Sequence, residues 1–216
     1  MEELAVSPED RVKGYTKSDP VRLASMVQAL TDIDDRNTPG DVVEVGVWRG
    51  GNIMLTRIMS PRRKCWMYDT FDGMTEPDAN LDVKKSGHRA IERYNIKKAN
   101  GSKWDAVSVE EVQEGFRKVG VSLDDVAMVV GPVEDTMLDP NQLPLAVAIL
   151  RLDADWYSPT KMALKTLYPR VVPGGFLIVD DYGHWMGCQK AVDDYFGKDL
   201  PPYYDADYSC RVFKKC

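Results

Sequence analysis

The chain has 216 residues, 44% of them apolar and 29% charged, a make-up that suits one soluble domain with a sizeable core. Its 34 acids outweigh 28 bases for a net charge of -6, which argues against a nucleic-acid partner, since phosphate neutralisation needs a basic face. No apolar run approaches the ~20 residues of a membrane helix, and "MEELAVSPED" lacks the basic-then-apolar order of a secretory signal, so no membrane partner and a cytoplasmic location are expected.

In chain order, a helix is expected to open at Ser18 or Asp19 with Pro20 in its first turn. Leu23, Met26, Val27 and Leu30 then lie on one face. "NTPGD" ends it. "DVVEVGV" (41–47) reads as a strand, "RGGNIMLTRIM" as a short helix and "KCWMYDT" (64–70) as a second strand. No strand is evident from Phe71 to about Val107, where a helix is conceivable near 88–98; a segment this long suggests a lid or binding insert, or else disorder, and its mix of Lys, His, Tyr and Trp favours order. "SVEEVQEGFRKVG" carries a capping box, Ser108 and Glu111, and a terminating Gly120. Strands follow at 126–131 and 145–153. Ser158 is read as the cap of the next helix, with Pro159 at its first position. "FLIVDD" reads as a fifth strand, Gly187 to Phe196 as a helix, and "YYDADY" and "CRVFKK" as two closing strands. The four cysteines show no CxxC pairing and are read as reduced thiols.

Apolar strands alternating with helices predict an α/β, Rossmann-like, doubly wound and mostly parallel seven-stranded sheet with helices on both faces. In such sheets ligands sit at the carboxyl ends of the strands, near the switch in strand order. The chain places its acids and glycines there: Glu44 and Gly46, then Asp69, Glu134, Asp153 and Asp155, and last Asp180 and Asp181. Gly46 would let backbone approach a ligand closely, and Asp69 could accept bonds from ribose hydroxyls. No GK[ST] follows the glycines, and Glu44 would repel a pyrophosphate. A cofactor with a ribose and a positive charge but no phosphate fits better, and S-adenosylmethionine is such a molecule. Asp153, Asp180 and Asp181 on one sheet edge would repel each other unless a cation sits among them; Mg²⁺ suits such hard oxygen ligands, with Ca²⁺ or Mn²⁺ as alternatives. The plainer reading is that Asp180 or Asp181 caps a helix and Asp153 pairs with Arg151.

The stretches "PGDVVEVGVWRGG", "YDTFDGM", "RLDADWYSPT" and "LYPRVVPGGFLIVDDYG" resemble the macrocin O-methyltransferase family within the metal-dependent small-molecule O-methyltransferases. The resemblance covers roughly residues 15–197 and implies a single S-adenosylmethionine-dependent domain over 1–216, with a lid or acceptor-binding insert at 71–107. It implies that Glu44, Gly46, Asp69, Thr70 and Glu134 surround the cofactor and that Asp153, Asp180 and Asp181 hold Mg²⁺. The expected acceptor is a hydroxyl of a sugar-containing small molecule, and a homodimer or higher homo-oligomer is compatible. Catechol- and caffeoyl-type relatives place a lysine base three residues after the first metal aspartate; here Trp156 stands there and is expected to shape the acceptor pocket. The resemblance makes Asp153 the base, and His184, near neutral pKa, is the second candidate. Asp155 is expected behind the ligands, His88 in a solvated loop, and Arg49 and Arg151 in local salt bridges.

Overall fold

A computed structural model describes residues 6–216; the first five residues of the acidic N-terminal stretch lie outside the described residues. The chain runs α1 (Pro8–Val12), α2 (Pro20–Asp35), β1 (Asp41–Val45), α3 (Gly51–Met59), β2 (Cys65–Asp69), α4 (Ala90–Ala99), α5 (Val109–Val119) and β3 (Val126–Val130). It continues through α6 (Val133–Thr136), β4 (Val147–Leu152), α7 (Tyr157–Leu167), β5 (Val171–Val179), α8 (Met186–Phe196), β6 (Tyr203–Asp205) and β7 (Arg211–Lys214). The strand order is β3-β2-β1-β4-β5-β7-β6, parallel from β3 to β5, with β7 antiparallel to both β5 and β6.

Strand side chains alternate between the two faces, and each face is covered. Val42, Met67, Ile149 and Ile178 pack under Leu23, Met26 and Leu30 of α2, Ile53 of α3 and Phe116 of α5. Val43, Tyr68, Leu150 and Leu177 pack under Leu164 of α7 and Val192 of α8. The two faces meet different helices, so a one-residue slip would hand each helix layer the side chains that pack against the other.

Local side-chain caps set the starts of α1, α2 and α5. Asp19 Oδ1 accepts the N–H groups of Val21 and Arg22, each at 3.0 Å, with Pro20 first in α2. The Ser108–Glu111 capping box is formed, and Gly120 closes α5 in the left-handed conformation. The start of α7 differs from expectation: it begins at Tyr157, so Ser158 and Pro159 lie inside its first turn. Its cap comes from the insert, where buried Asp82 accepts the Tyr157 N–H at 2.8 Å, and the Ser158 hydroxyl instead donates to Glu134 at 2.6 Å. β5 also starts earlier than "FLIVDD", at Val171, and Asp180 and Asp181 follow its end.

The 71–107 insert is ordered. It carries α4, makes bridges Val83–Arg89 and Lys84–Trp185, and sinks Trp104 into the core. Cys65, Cys188 and Cys210 are buried free thiols and Cys216 an exposed one. Among the described residues no helix is long and apolar enough to cross a membrane.

Candidate active site

The sheet's switch point lies between β1 and β4, because the chain runs outward from β1 through β2 to β3 and then returns to β1's other side. Gly46, just past β1, has φ +82°, and a Cβ there would stand 2.6 Å from the Asp153 carbonyl carbon and overlap its oxygen. Glycine is therefore required by the approach of one strand end to the other, a different reason from the ligand approach expected of it. Asp69 holds the turn that follows: Oδ2 accepts from Val47 N at 2.7 Å and Trp48 N at 3.0 Å, and Oδ1 from Phe71 N at 2.9 Å. Thr70 donates its hydroxyl to Gly73 O at 2.6 Å.

In-register neighbours on parallel strands share a face, and so do residues two apart. Glu44 pairs with Arg151 and Arg151 with Ile178, so Glu44, Arg151, Asp153 and Asp180 all fall on the α2 side of the sheet. Arg151, 1% exposed, gathers them: Nε donates to Glu44 Oε1 at 3.0 Å, and Nη2 to Asp153 Oδ2 at 2.8 Å, Asp180 Oδ1 at 2.5 Å and Ser18 Oγ at 3.0 Å. Asn52 donates to Glu44 Oε1 at 2.7 Å. Burial, reinforced by Asp153, pushes Glu44 up to about 8 against the pull of Arg151 and Asn52. Arg151 is thus a salt-bridge former, as expected, but one that ties three strand ends together.

Asp153, Asp180 and Asp181 each offer an oxygen within 4.8 Å of the others. Asp181 Oδ2 is buried with no partner, and burial with the charges of Asp155, Asp153 and Asp180 drives its carboxyl well above the usual range. Burial and Asp180 raise Asp153 to about 6. A buried carboxylate oxygen without a donor, facing two more carboxylates, is the chemistry of a hard divalent cation's ligand set. The residues present fit such an ion.

These groups floor a cleft of about 320 Å³, which Gly46, Asp69, Thr70, Glu134, Asp153, Asp180, Asp181 and His184 all line. Two expected members are placed differently. Glu44 does not line the cleft; it stands behind the wall, with Arg151 and Asn52, and Asn52 reaches the cleft in its place. Trp156 is 1% exposed and also absent from the lining: it donates to Thr75 O at 3.1 Å and packs edge-on between Trp104 and Trp185, which do face the cleft. Asp155 takes a left-handed φ of +58°, which turns its carboxylate into the cleft to accept from Trp185 Nε1 at 2.6 Å. His184 lies at the cleft with Nδ1 2.9 Å from the Tyr208 hydroxyl; burial, Lys84 and Arg22 hold its pKa below the ordinary value, so the ring is neutral near pH 7. The His88 ring bonds to Ser86 in an exposed turn and does not line the cleft.

Arg22 and Asp82 had no local signal in the sequence. Arg22 reaches Asp180 Oδ2 at 2.5 Å across 158 residues of chain, and Asp82 reaches α7 across 75. Arg151's reach to Glu44 was accessible by counting strand register.

The parallel sheet with its antiparallel β7, and the cleft at its switch point, define a Rossmann-like fold of the methyltransferase class. The macrocin O-methyltransferase family model matches residues 6–215, and the chain belongs to that family. It is 36% identical over 182 residues to the demethyldecarbamoylnovobiocin O-methyltransferase of Streptomyces niveus, covering 82% of this chain and 66% of that protein. It is 35% identical over 182 residues to the 8-demethyl-8-(2,3-dimethoxy-alpha-L-rhamnosyl)-tetracenomycin-C 4'-O-methyltransferase of Streptomyces olivaceus, with the same two coverages, 82% and 66%. The matched region thus spans just under two thirds of the length of each of these relatives. The solved structure of the O-methyltransferase NovP superposes with a TM-score of 0.79 at 31% identity, covering 97% of this chain and 88% of that one.

Proposed function

We propose that this chain is an S-adenosylmethionine- and Mg²⁺-dependent O-methyltransferase that acts on a hydroxyl of a sugar-containing small molecule, with residues 71–107 as the acceptor-binding lid of a single domain. The observation that carries the reading is the Asp153–Asp180–Asp181 cluster, its oxygens within 4.8 Å, on the floor of a cleft at the sheet's switch point. Family membership supports the reaction type, and the rhamnosyl acceptor in the name of the Streptomyces olivaceus relative supports the acceptor class.

The cofactor would lie over the turn held by Asp69, with Gly46, Thr70, Asn52 and Glu134 along its side of the cleft. Asp153, Asp180 and Asp181 would hold the cation. When bound, the cofactor supplies an electrophilic methyl group, and the cation acidifies an acceptor hydroxyl. Asp153 takes the hydroxyl proton; its Oδ2 is held by Arg151, which fixes the carboxylate's orientation. His184, neutral and oriented by Tyr208, is the alternative proton acceptor. Trp104, Trp185 and the insert they anchor wall the acceptor side and exclude water. The protein's main contribution is to hold the acceptor oxygen in line for transfer.

Calorimetry with S-adenosylhomocysteine tests the cofactor assignment, and no binding at high micromolar concentration would sink it. Transfer from S-adenosylmethionine to a panel of deoxysugar glycosides, with and without EDTA, tests the rest. Turnover that survives EDTA removes the cation from the reading, and transfer to catechols but no glycoside removes the acceptor class.

A further inference from the structure

Asp180 differs from its two partners in the cluster, because arginines already engage both of its oxygens. Arg151 donates to Oδ1 and Arg22 to Oδ2, each at 2.5 Å. The two arginines are not equivalent. Arg151 is 1% exposed and enclosed by Glu44, Asp153, Asp180 and Ser18, so it has nowhere else to go. Arg22, on α2, has a 14% exposed side chain, lines the cleft and is anchored from its other side. Its Nε donates to Asp207 Oδ2 at 2.8 Å, and Asp207 Oδ1 is fixed in its own turn by the N–H groups of Ser209 at 2.8 Å and Cys210 at 2.6 Å. Its Nη1 is the atom that donates to the acidic cluster, and the Tyr208 ring centroid lies 5.9 Å from the guanidinium carbon.

We propose that Arg22 is a placeholder counter-charge for the Asp153–Asp180–Asp181 site. Its Nη1 neutralises Asp180 while no divalent cation is bound and releases Oδ2 when one enters, and Asp207 keeps the guanidinium beside the cleft throughout. The proposal rests on the cation reading given above. It adds a second positive charge, beside that of Arg151, to the edge where the three carboxyl groups lie within 4.8 Å. It also makes cation affinity the outcome of a competition. A unit charge a few ångströms from a divalent ion, in a part-buried setting of reduced dielectric, is worth more than tenfold in binding. Tyr208 and His184 line the same cleft as Arg22.

The test titrates Mg²⁺ alone into the full chain by calorimetry, with Mn²⁺ as a second probe, and follows melting temperature with and without the ion. Arg22→Met keeps most of the stem and removes the charge. It is expected to tighten Mg²⁺ binding at least tenfold and to melt lower without the ion, with most of that loss recovered at saturating Mg²⁺. Asp207→Asn keeps the Oδ1 acceptor but removes the competing carboxylate, so the guanidinium rests more fully on Asp180; Mg²⁺ binding should weaken threefold or more. Opposite signs in the two variants are the signature, because a purely structural role for Arg22 weakens binding in both. Weaker or unchanged affinity in Arg22→Met overturns the placeholder. Should that variant not fold, Asp207→Asn decides alone, and unchanged or tighter binding there overturns it. Binding by none of the proteins, wild type included, overturns the cation site itself and the placeholder with it.

Discussion

Gly46→Ala isolates the contact on which the whole cleft is built. Gly46 has φ +82°, and Gly87, in an exposed turn of the insert, has φ +88°. Placing a Cβ at such a φ costs about 1–2 kcal/mol at either position. Around Gly87 nothing lies within 4 Å, so Gly87→Ala should cost that strain and no more. At Gly46 the new Cβ would stand 2.6 Å from the Asp153 carbonyl carbon, and ordinary carbon–carbon contact is ~3.5 Å, so one strand end must retreat by about 1 Å. The segment that retreats carries Asp153, and a misplacement of that size can lower a rate about 100-fold. Urea unfolding should show Gly46→Ala losing about 2–4 kcal/mol in total, beyond the loss in Gly87→Ala. Methyl transfer in the folded fraction should fall about 100-fold in the first variant and stay near wild type in the second. Equal stabilities for the two variants, or a Gly46→Ala enzyme within threefold of wild type, would refute the claim that the β1 and β4 ends are locked by this contact.

Three further outcomes are expected. Asp153→Asn should lower transfer by about 10²–10⁴-fold and weaken Mg²⁺ binding in calorimetry; retention of both would remove Asp153 from the site. Glu44→Gln should flatten the dependence of stability on pH. The folded-state pKa of Glu44, about 8, exceeds its ordinary value of 4.5, so between those values the folded chain keeps a proton that the unfolded chain has lost, and stability falls as pH rises. That slope, at most about 1.4 kcal/mol per pH unit, should be missing from urea titrations of the variant between pH 5 and about 8; a slope matching wild type would contradict it. Asp82→Ala should strip the cap from α7 at a cost of about 0.5–2 kcal/mol and speed tryptic cleavage within the insert at Lys84, Lys85 and Arg89. An unchanged digestion rate would show that other contacts, such as the Lys84–Trp185 bridge, secure the insert.

Most of the sheet was legible because its signals are local. β1 and β2 are short apolar runs ending in turn residues, and α2 and α5 announce their starts with Asp19 and the Ser108–Glu111 box. The start of α7 misled for the same reason in reverse. Ser158-Pro159 is a good local cap signal, but Asp82, 75 residues away, accepts the Tyr157 N–H and the helix starts two residues earlier. Helix termini yield to whichever acceptor reaches the free N–H groups, and a partner brought in by tertiary structure is invisible to any window.

The acids of the cleft were legible as a set, because the strand-end rule collects them, but their charge balance was not. Asp153 read alone suggested a choice between a cation and Arg151 as its partner. The geometry makes that a false alternative: Arg151 Nη2 holds one Asp153 oxygen and one Asp180 oxygen, while Asp181 keeps a buried oxygen that no side chain satisfies. Both hold because register puts Glu44, Arg151, Asp153 and Asp180 on one face, so that a single guanidinium stitches three strand ends without satisfying Asp181 Oδ2. Replacing Arg151 would therefore do more than unpair Asp153. It would leave Asp153 and Asp180 to repel each other and the buried Glu44 carboxyl without its guanidinium donor, loosening the proposed cofactor and cation sides of the cleft together.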